Sequence, residues 1–122
     1  MLSSASGQIF GAYLPREATQ HLIEAELADG RAPAGSNSWP AIETMFAAIR
    51  ASGISSVSGY HLVPGVEAIG APVFNAAGAI TLTMLVVGIQ GMFDMSADGP
   101  VVRELKHAAN TLSERLGSSR RI

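Results

Sequence analysis

Three histidines are the first residues to consider for metal binding or proton transfer: His21, His61 and His107. They lie far apart in the sequence, and no pair has the i, i+4 spacing with which a helix presents two imidazoles to zinc. His21 and His107 fall on the polar sides of predicted helices, where a solvated histidine is usual. His61 closes a predicted strand beside a turn, where a ligand contact is the alternative to a structural role. No metal site is predicted.

The acidic and nucleophilic side chains form no catalytic motif. Glu67 is the only carboxylate between Glu43 and Asp94, and general acid–base catalysis needs a second positioned group. A lone acid at the start of a strand is expected to be exposed. Cysteine is absent, and neither a G-x-S-x-G elbow nor a glycine-rich nucleotide motif occurs. The sequence therefore predicts no catalytic residue, no cofactor and a protein that is not an enzyme.

Ser6 and Gly7 stand at the start of the first predicted helix. The backbone N–H groups at a helix N-terminus attract anions, so this turn is one candidate contact for a negatively charged ligand. An ordinary helix entry explains the same residues equally well. The residues alone leave both interpretations open.

The overall composition indicates one folded domain. The chain has 122 residues, of which 48% are hydrophobic and 15% are charged, and this balance is the opposite of that in disordered chains. The formal net charge is -2, with eight Lys and Arg residues that form no long run. Direct binding of this chain to DNA is therefore not expected, because DNA-binding surfaces concentrate cations.

One uncharged stretch is long enough to span a bilayer, from residue 68 to residue 93. Asn75 and Gly78 give a turn signal near its middle, and the flanks are rich in residues that favour strands. A buried β-hairpin is therefore preferred over a membrane span. The N-terminus lacks the basic and apolar regions of a signal peptide, so a cytoplasmic location is expected.

Apolar periodicity and capping signals predict seven elements. These are helices near residues 4–14, 15–29, 38–53 and 100–117, and strands near residues 54–60, 66–74 and 79–88. Pro15 is expected at the first position of its helix and Ser38 at an N-cap. Residues 118–122 are expected to form a loose tail. Helices segregated from antiparallel strands predict an α+β fold, and a sheet of three strands leaves an open edge.

Four segments together resemble the IclR family of bacterial transcriptional regulators. Residues 5–14 (ASGQIFGAYL) resemble the family's T-A-x-G-K-A-x-L-A helix, and residues 49–53 (IRASG) its I-R-x-x-G-Y helix end. Residues 67–78 (EAIGAPVFNAAG) are similar to the x-x-I-A-A-P-V-F-D-x-x-G hairpin, which is the most specific of the four. Residues 105–117 (LKHAANTLSERLG) are similar to the last helix, and the order and spacing of all four segments agree.

The resemblance implies a GAF-like effector-binding domain with an antiparallel sheet and flanking helices. Residues 1–122 correspond to a single, partial domain of this type, about the later two-thirds of it. The winged helix-turn-helix that binds operator DNA in family members has no counterpart here, nor do the first strands of the sheet. The missing strands would account for the thin sheet.

The resemblance also implies where an effector binds, in a cavity between the sheet and the early helices. The corresponding ligand-binding positions are Ala5, Ser6, Ser58, Ala68, Leu85 and Val87. The family's usual lysine is Gln8 here, and an acidic residue is replaced around Ser58. Because Ala68, Leu85 and Val87 are apolar, the expected ligand is mainly apolar, such as an aromatic acid, rather than a small carboxylate.

The first interpretation of function is therefore an effector-sensing and oligomerisation domain of an IclR-type regulator. The alternative is a stand-alone module that binds a small molecule or dimerises without transcriptional output, and an unrecognised small enzyme is a distant third. A helix-turn-helix coding region upstream of Met1 would favour the regulator over the module. The expected partners are a small-molecule effector and further copies of the chain, with no membrane and no DNA bound directly.

Overall fold

The computed structural model describes residues 1–58 and 64–122. The elements in chain order are α1 (Ala5–Tyr13), α2 (Arg16–Ala28), α3 (Trp39–Ser52), β1 (Ser55–Ser58), β2 (Val66–Phe74), β3 (Ile80–Ile89) and α4 (Pro100–Arg115). Their order confirms the predicted α+β class. The prediction for His61, and the predicted continuation of β1 through residue 60, lie outside the described residues.

Short-range signals set the helix boundaries. Ser4 Oγ accepts a hydrogen bond from the Gly7 N–H at 3.0 Å, and Ser38 Oγ accepts one from the Ala41 N–H at 3.4 Å. Both hydroxyls satisfy amides that a first turn leaves without an intrahelical partner. Pro15 stands one residue before α2 rather than at its first helical position. Gly53 ends α3 with φ at 78°, a left-handed conformation that glycine adopts without steric cost.

The three strands form an antiparallel sheet with the order β1-β2-β3, so that β2 is central. The uncharged stretch accordingly contains the β2–β3 hairpin, as predicted. Within the described part of the chain, no helix has both the length and the apolar character needed to cross a membrane. Pro72 lies in β2 beyond Gly70, where the pairing with β1 ends. A missing N–H donor is tolerated there because, beyond Gly70, β3 is the only strand beside β2 in the described part of the chain.

Helices cover the sheet on both faces, with a separate apolar cluster on each. On one face, α1 approaches Gly70 so closely that a Cβ there would lie 3.4 Å from Ile9 Cγ1. On the other face, α4 packs against Ile69, Ala71 and Val73, all fully buried. A buried hydrogen bond, from the Phe74 N–H to Ser113 Oγ at 3.0 Å, joins α4 to the sheet. The two faces of β2 are thus assigned to different helices.

The contact between α1 and α3 depends on one glycine. A Cβ built at Gly11 would lie 2.5 Å from the Cζ atom of Phe46, whose residue is only 7% exposed. The ring of Phe46 therefore occupies the space that a side chain at position 11 would need. This close approach brings α1 down onto α3.

The C-terminal segment is ordered rather than loose, which corrects the sequence prediction. Asn110 holds both backbone groups of Ile122, accepting from its N–H at 3.0 Å and donating to its carbonyl at 3.2 Å. Arg120 Nη1 donates to the Gly78 carbonyl at 2.8 Å, and its guanidinium lies 4.2 Å from the Phe74 ring centroid. Long-range contacts of this kind leave no periodic signal in a sequence.

Candidate functional site

A cavity of about 270 Å³ lies between the first turn of α1 and the sheet face formed by β2 and β3. Its lining residues are Ser4, Ala5, Ser6, Val66, Ala68, Leu85 and Val87. Five of the six predicted site residues are therefore brought together: Ala5, Ser6, Ala68, Leu85 and Val87. These residues come from the start of α1 and from the β2–β3 hairpin, which lies far from α1 in the sequence.

The strand register explains the lining. Ala68 is the partner of Val87, and Gly70 is the partner of Leu85. Partnered residues of an antiparallel pair point to the same face, and alternate residues of one strand share that face. Ala68 contributes only a methyl group, which leaves space above it. A Cβ at Gly70 would lie 3.0 Å from Leu85 Cδ2, so the missing side chain there lets Leu85 lie across the sheet.

Ser58 is not brought into the cavity. It is the partner of Glu67, whereas Val57 is the partner of Ala68. Because successive residues of a strand point to opposite faces, Ser58 projects toward the α4 side and Val57 toward the cavity side. A shift of one position along a strand turns the side chain to the opposite face of the sheet.

Two lining residues were missed in the sequence. Val66 lies two positions before Ala68 and shares its face, so strand alternation was the available signal. Ser4 is the N-cap of α1, and its hydroxyl is engaged by the Gly7 N–H. Its position in the lining follows from the packing of the helix start and had no signal of its own.

Polar groups are concentrated at the α1 end of the cavity. Ser4 and Ser6 line that end of the cavity, at the positive end of the helix dipole of α1. No charged side chain belongs to the lining that the described residues provide. The arrangement can therefore bind an apolar body and orient one electronegative end, and its side chains offer no acid–base pair.

Gln8, at the position of the family's usual lysine, serves the framework beside the cavity. It accepts a hydrogen bond from the Ser55 hydroxyl and donates from Nε2 to the Leu2 carbonyl at 2.8 Å. A neutral amide thus joins α1 to β1 and to the segment before α1. The site gains no positive charge from this position.

The remaining titratable candidates stay apart from the cavity. His21 and His107 are exposed, and no group of three or more metal-ligating side chains occurs among residues 1–58 and 64–122. Glu67 is only 8% exposed, which corrects the expectation of an exposed acid. It lies two positions before Ile69, which packs against α4, and alternate residues of a strand share a face, so Glu67 lies on the α4 side of β2. Burial of an acid at a strand start reflects tertiary packing that composition does not reveal.

A second cavity of about 270 Å³ lies among α1, α2 and α3 and includes Trp39 in its lining. Arg16 lies over the Trp39 ring, 4.4 Å from its centroid, and its Nη1 is 2.9 Å from Glu43 Oε1. Arg16 and Glu43 are therefore paired with each other, and Arg50, the third charged residue of the lining, donates to the Ala12 carbonyl. The pairing of Arg16 with Glu43 makes this second cavity a weaker ligand site than the cavity beside Ala68.

Comparisons with known proteins agree with this fold. The sequence model described as "Bacterial transcriptional regulator IclR C-terminal" matches residues 1–114. The crystal structure of Pseudomonas aeruginosa HmgR has a TM-score of 0.84 and 34% sequence identity, and the match covers 97% of this chain and 45% of that one. The C-terminal domain of the E. coli transcriptional regulator KdgR gives a TM-score of 0.74 at 20% identity, covering 95% and 70% of the two chains.

The IclR structure from Thermotoga maritima gives a TM-score of 0.73 at 20% identity and covers 95% of this chain and 47% of that one. No curated protein sequence matches the chain. The fold and these matches define a C-terminal domain of a bacterial transcriptional regulator. The chain belongs to the IclR family, and it spans about half the length of HmgR and of the Thermotoga maritima protein.

Proposed function

We propose that this domain senses a small-molecule effector in the cavity between α1 and the β2–β3 face. The observation that carries the proposal is the convergence of five predicted positions on one lining, contributed by α1, β2 and β3. Family membership supports a regulatory rather than a catalytic role. We place operator recognition outside residues 1–122, whose net charge is -2, and the protein in the cytoplasm.

The lining defines the class of ligand. Val66, Leu85 and Val87 offer branched aliphatic side chains, and the α1 end offers Ser6 and the positive end of the helix dipole. The volume of about 270 Å³ lies just below the roughly 300 Å³ at which ligand pockets usually begin. A single-ring aromatic acid with its carboxylate toward α1 fits this size and polarity. Binding would favour one arrangement of the domain, and that bias is what a regulator transmits.

Filling the cavity is expected to abolish binding while the domain stays folded. Ala68→Phe places a ring in the space above β2, whereas Ala77→Phe makes the same change on the exposed hairpin turn. Benzoate and phenylacetate should raise the Tm of the parent domain and of the Ala77→Phe control, because a ligand of the native state stabilises it. The Ala68→Phe protein should show no such rise.

Two results would contradict the proposed cavity. Equal stabilisation of the Ala68→Phe and Ala77→Phe proteins would place the ligand elsewhere. The absence of stabilisation in the parent domain across a broad set of aromatic acids would reject the ligand class. Circular dichroism of each variant establishes that the native fold is present before binding is compared.

We further propose that the domain forms homo-oligomers through its open sheet edge. β3 has β2 as its only strand neighbour in the sheet that the described residues form. Its apolar side chains are well exposed, with Leu82 at 48%, Val87 at 61% and Ile89 at 66%. An apolar edge strand with unpaired backbone groups favours association with another chain.

The mass of the domain in solution tests this proposal. Light scattering is expected to give a multiple of 12.6 kDa. Ile89→Lys should shift the distribution toward the monomer, because it places a charge on the apolar edge, whereas Thr81→Lys adds the same charge at an already polar position of β3. A monomer mass over a wide concentration range would refute self-association.

A further inference from the structure

A third cavity, of about 300 Å³, lies at the other end of α1 from Ser6. Its lining includes four cationic side chains, which are Arg50, Lys106, Arg120 and Arg121, together with Tyr13. These are half of the eight Lys and Arg residues in the chain. They come from α3, α4 and the C-terminal segment, so the fold gathers cations that the sequence keeps apart.

Two of these arginines are oriented by backbone carbonyls. Arg50 Nη1 donates to the Ala12 carbonyl at 2.8 Å, and Arg120 Nη1 donates to the Gly78 carbonyl at 2.8 Å. The Arg120 guanidinium also lies against the rings of Phe74 and Tyr13, at 4.2 and 5.3 Å from their centroids. A carbonyl or a ring fixes a guanidinium without cancelling its charge, and the remaining N–H groups stay available.

The charge of the lining stays positive after its acidic neighbours are counted. Arg121 Nη2 lies 3.3 Å from Glu114 Oε2. Against this one carboxylate, the lining of the cavity has four cations. Asn110 clamps the backbone of Ile122, and the tail that carries Arg120 and Arg121 is thereby held in place.

Tyr13 adds a hydroxyl to the same cavity. Burial raises the pKa of its phenol above the ordinary value of 10.0, and the nearby charges of Arg120 and Arg50 act in the opposite direction. The phenol is therefore protonated near neutral pH, where it offers a hydrogen-bond donor beside the cations. A cavity with several cationic donors and a phenol matches a ligand with many acceptor oxygens.

We propose that this cavity is a second ligand site, which binds a small oxyanion of two or more negative charges. Arg120 and Arg50 supply planar guanidinium groups that pair with two oxygens at once, and Lys106 adds a point charge. Phosphate esters and polycarboxylates share the required chemistry. The site is separate from the aromatic-acid cavity and does not depend on it.

The probes are pyrophosphate, citrate and sodium chloride at matched ionic strength, measured by isothermal titration calorimetry. Pyrophosphate, citrate or both should bind with one site per chain, and chloride should not reproduce the effect. Lys106→Gln should weaken binding about tenfold, as expected for the loss of one charged hydrogen bond. Arg103→Gln removes the same charge from an exposed position of α4 outside the cavity, and it should leave the affinity unchanged.

The possible results distinguish a phosphate-bearing ligand from a polycarboxylate, and they include results that overturn the proposal. Pyrophosphate binding alone identifies a phosphate-bearing ligand, and citrate binding alone identifies a polycarboxylate. Equal weakening by Lys106→Gln and Arg103→Gln, or an equal effect of chloride, would overturn the proposal in favour of diffuse charge attraction. Absence of binding to both oxyanions would overturn it as well. Ala68→Phe should bind these probes as the parent does, so failure here is independent of the effector cavity.

Discussion

Replacing Phe74 with alanine is expected to lower the free energy of unfolding by about 3–5 kcal/mol. The side chain is 1% exposed and belongs to the core cluster under α1. Its ring meets Tyr13 edge to face, with centroids 5.4 Å apart, and lies under the Arg120 guanidinium. Truncation therefore leaves a void and removes two ring contacts at once. Urea denaturation followed by circular dichroism measures the change.

Two further substitutions show which part of the Phe74 effect comes from the ring. Phe93→Ala makes the same truncation at a less buried residue of the loop after β3 and should cost clearly less. Phe74→Leu keeps most of the apolar volume and should cost under about 1.5 kcal/mol plus the lost ring contacts. If Phe74→Ala and Phe93→Ala are equally mild, the packing described around Phe74 is refuted.

Gly53→Ala is expected to destabilise the domain by about 2–5 kcal/mol, in two separable parts. The left-handed φ of 78° costs an L-residue about 1–2 kcal/mol. The new methyl would also lie 2.8 Å from Ile122 Cβ, and crowding of this kind costs about 1–3 kcal/mol. The second part acts on the C-terminal segment, which has to move away from the end of α3.

Gly30→Ala is the matched control for Gly53. Gly30 has a similar φ of 68°, but a Cβ there meets nothing within 4 Å. The difference between the two variants in urea denaturation isolates the contact with Ile122. Carboxypeptidase should release the last residues faster from the Gly53→Ala protein than from the Gly30→Ala protein. Identical stabilities and identical release rates would show that the tail does not pack against Gly53.

The elements were predictable because their signals are local. Ser38 caps α3 through an amide three residues away, and the turn after Asn75 separates two strands without charged residues. The face of a strand residue is harder to predict, because it depends on register. Ser58 shows this. It was expected in the cavity, but its neighbour Val57 is the residue on the cavity side of β1, and Ser58 itself lies on the α4 side.

The C-terminal segment and the cation cluster were beyond prediction for a different reason. Arg120 interacts with Gly78, which lies 42 residues earlier, and Arg50 interacts with Ala12, which lies 38 residues earlier. No periodicity or spacing joins such pairs in a single sequence. The buried Glu67 belongs to the same class, because its exposure depends on elements that pack over β2.

The close approach of α1 and α3 at Gly11 limits how this sequence can vary. Since the Phe46 ring fills the space of the missing side chain, the two positions share one fixed volume. A larger residue at position 11 is compatible with the fold only where position 46 becomes smaller. Substitutions at the two positions are therefore expected to be coupled, so that a change at one is tolerated only together with a change at the other.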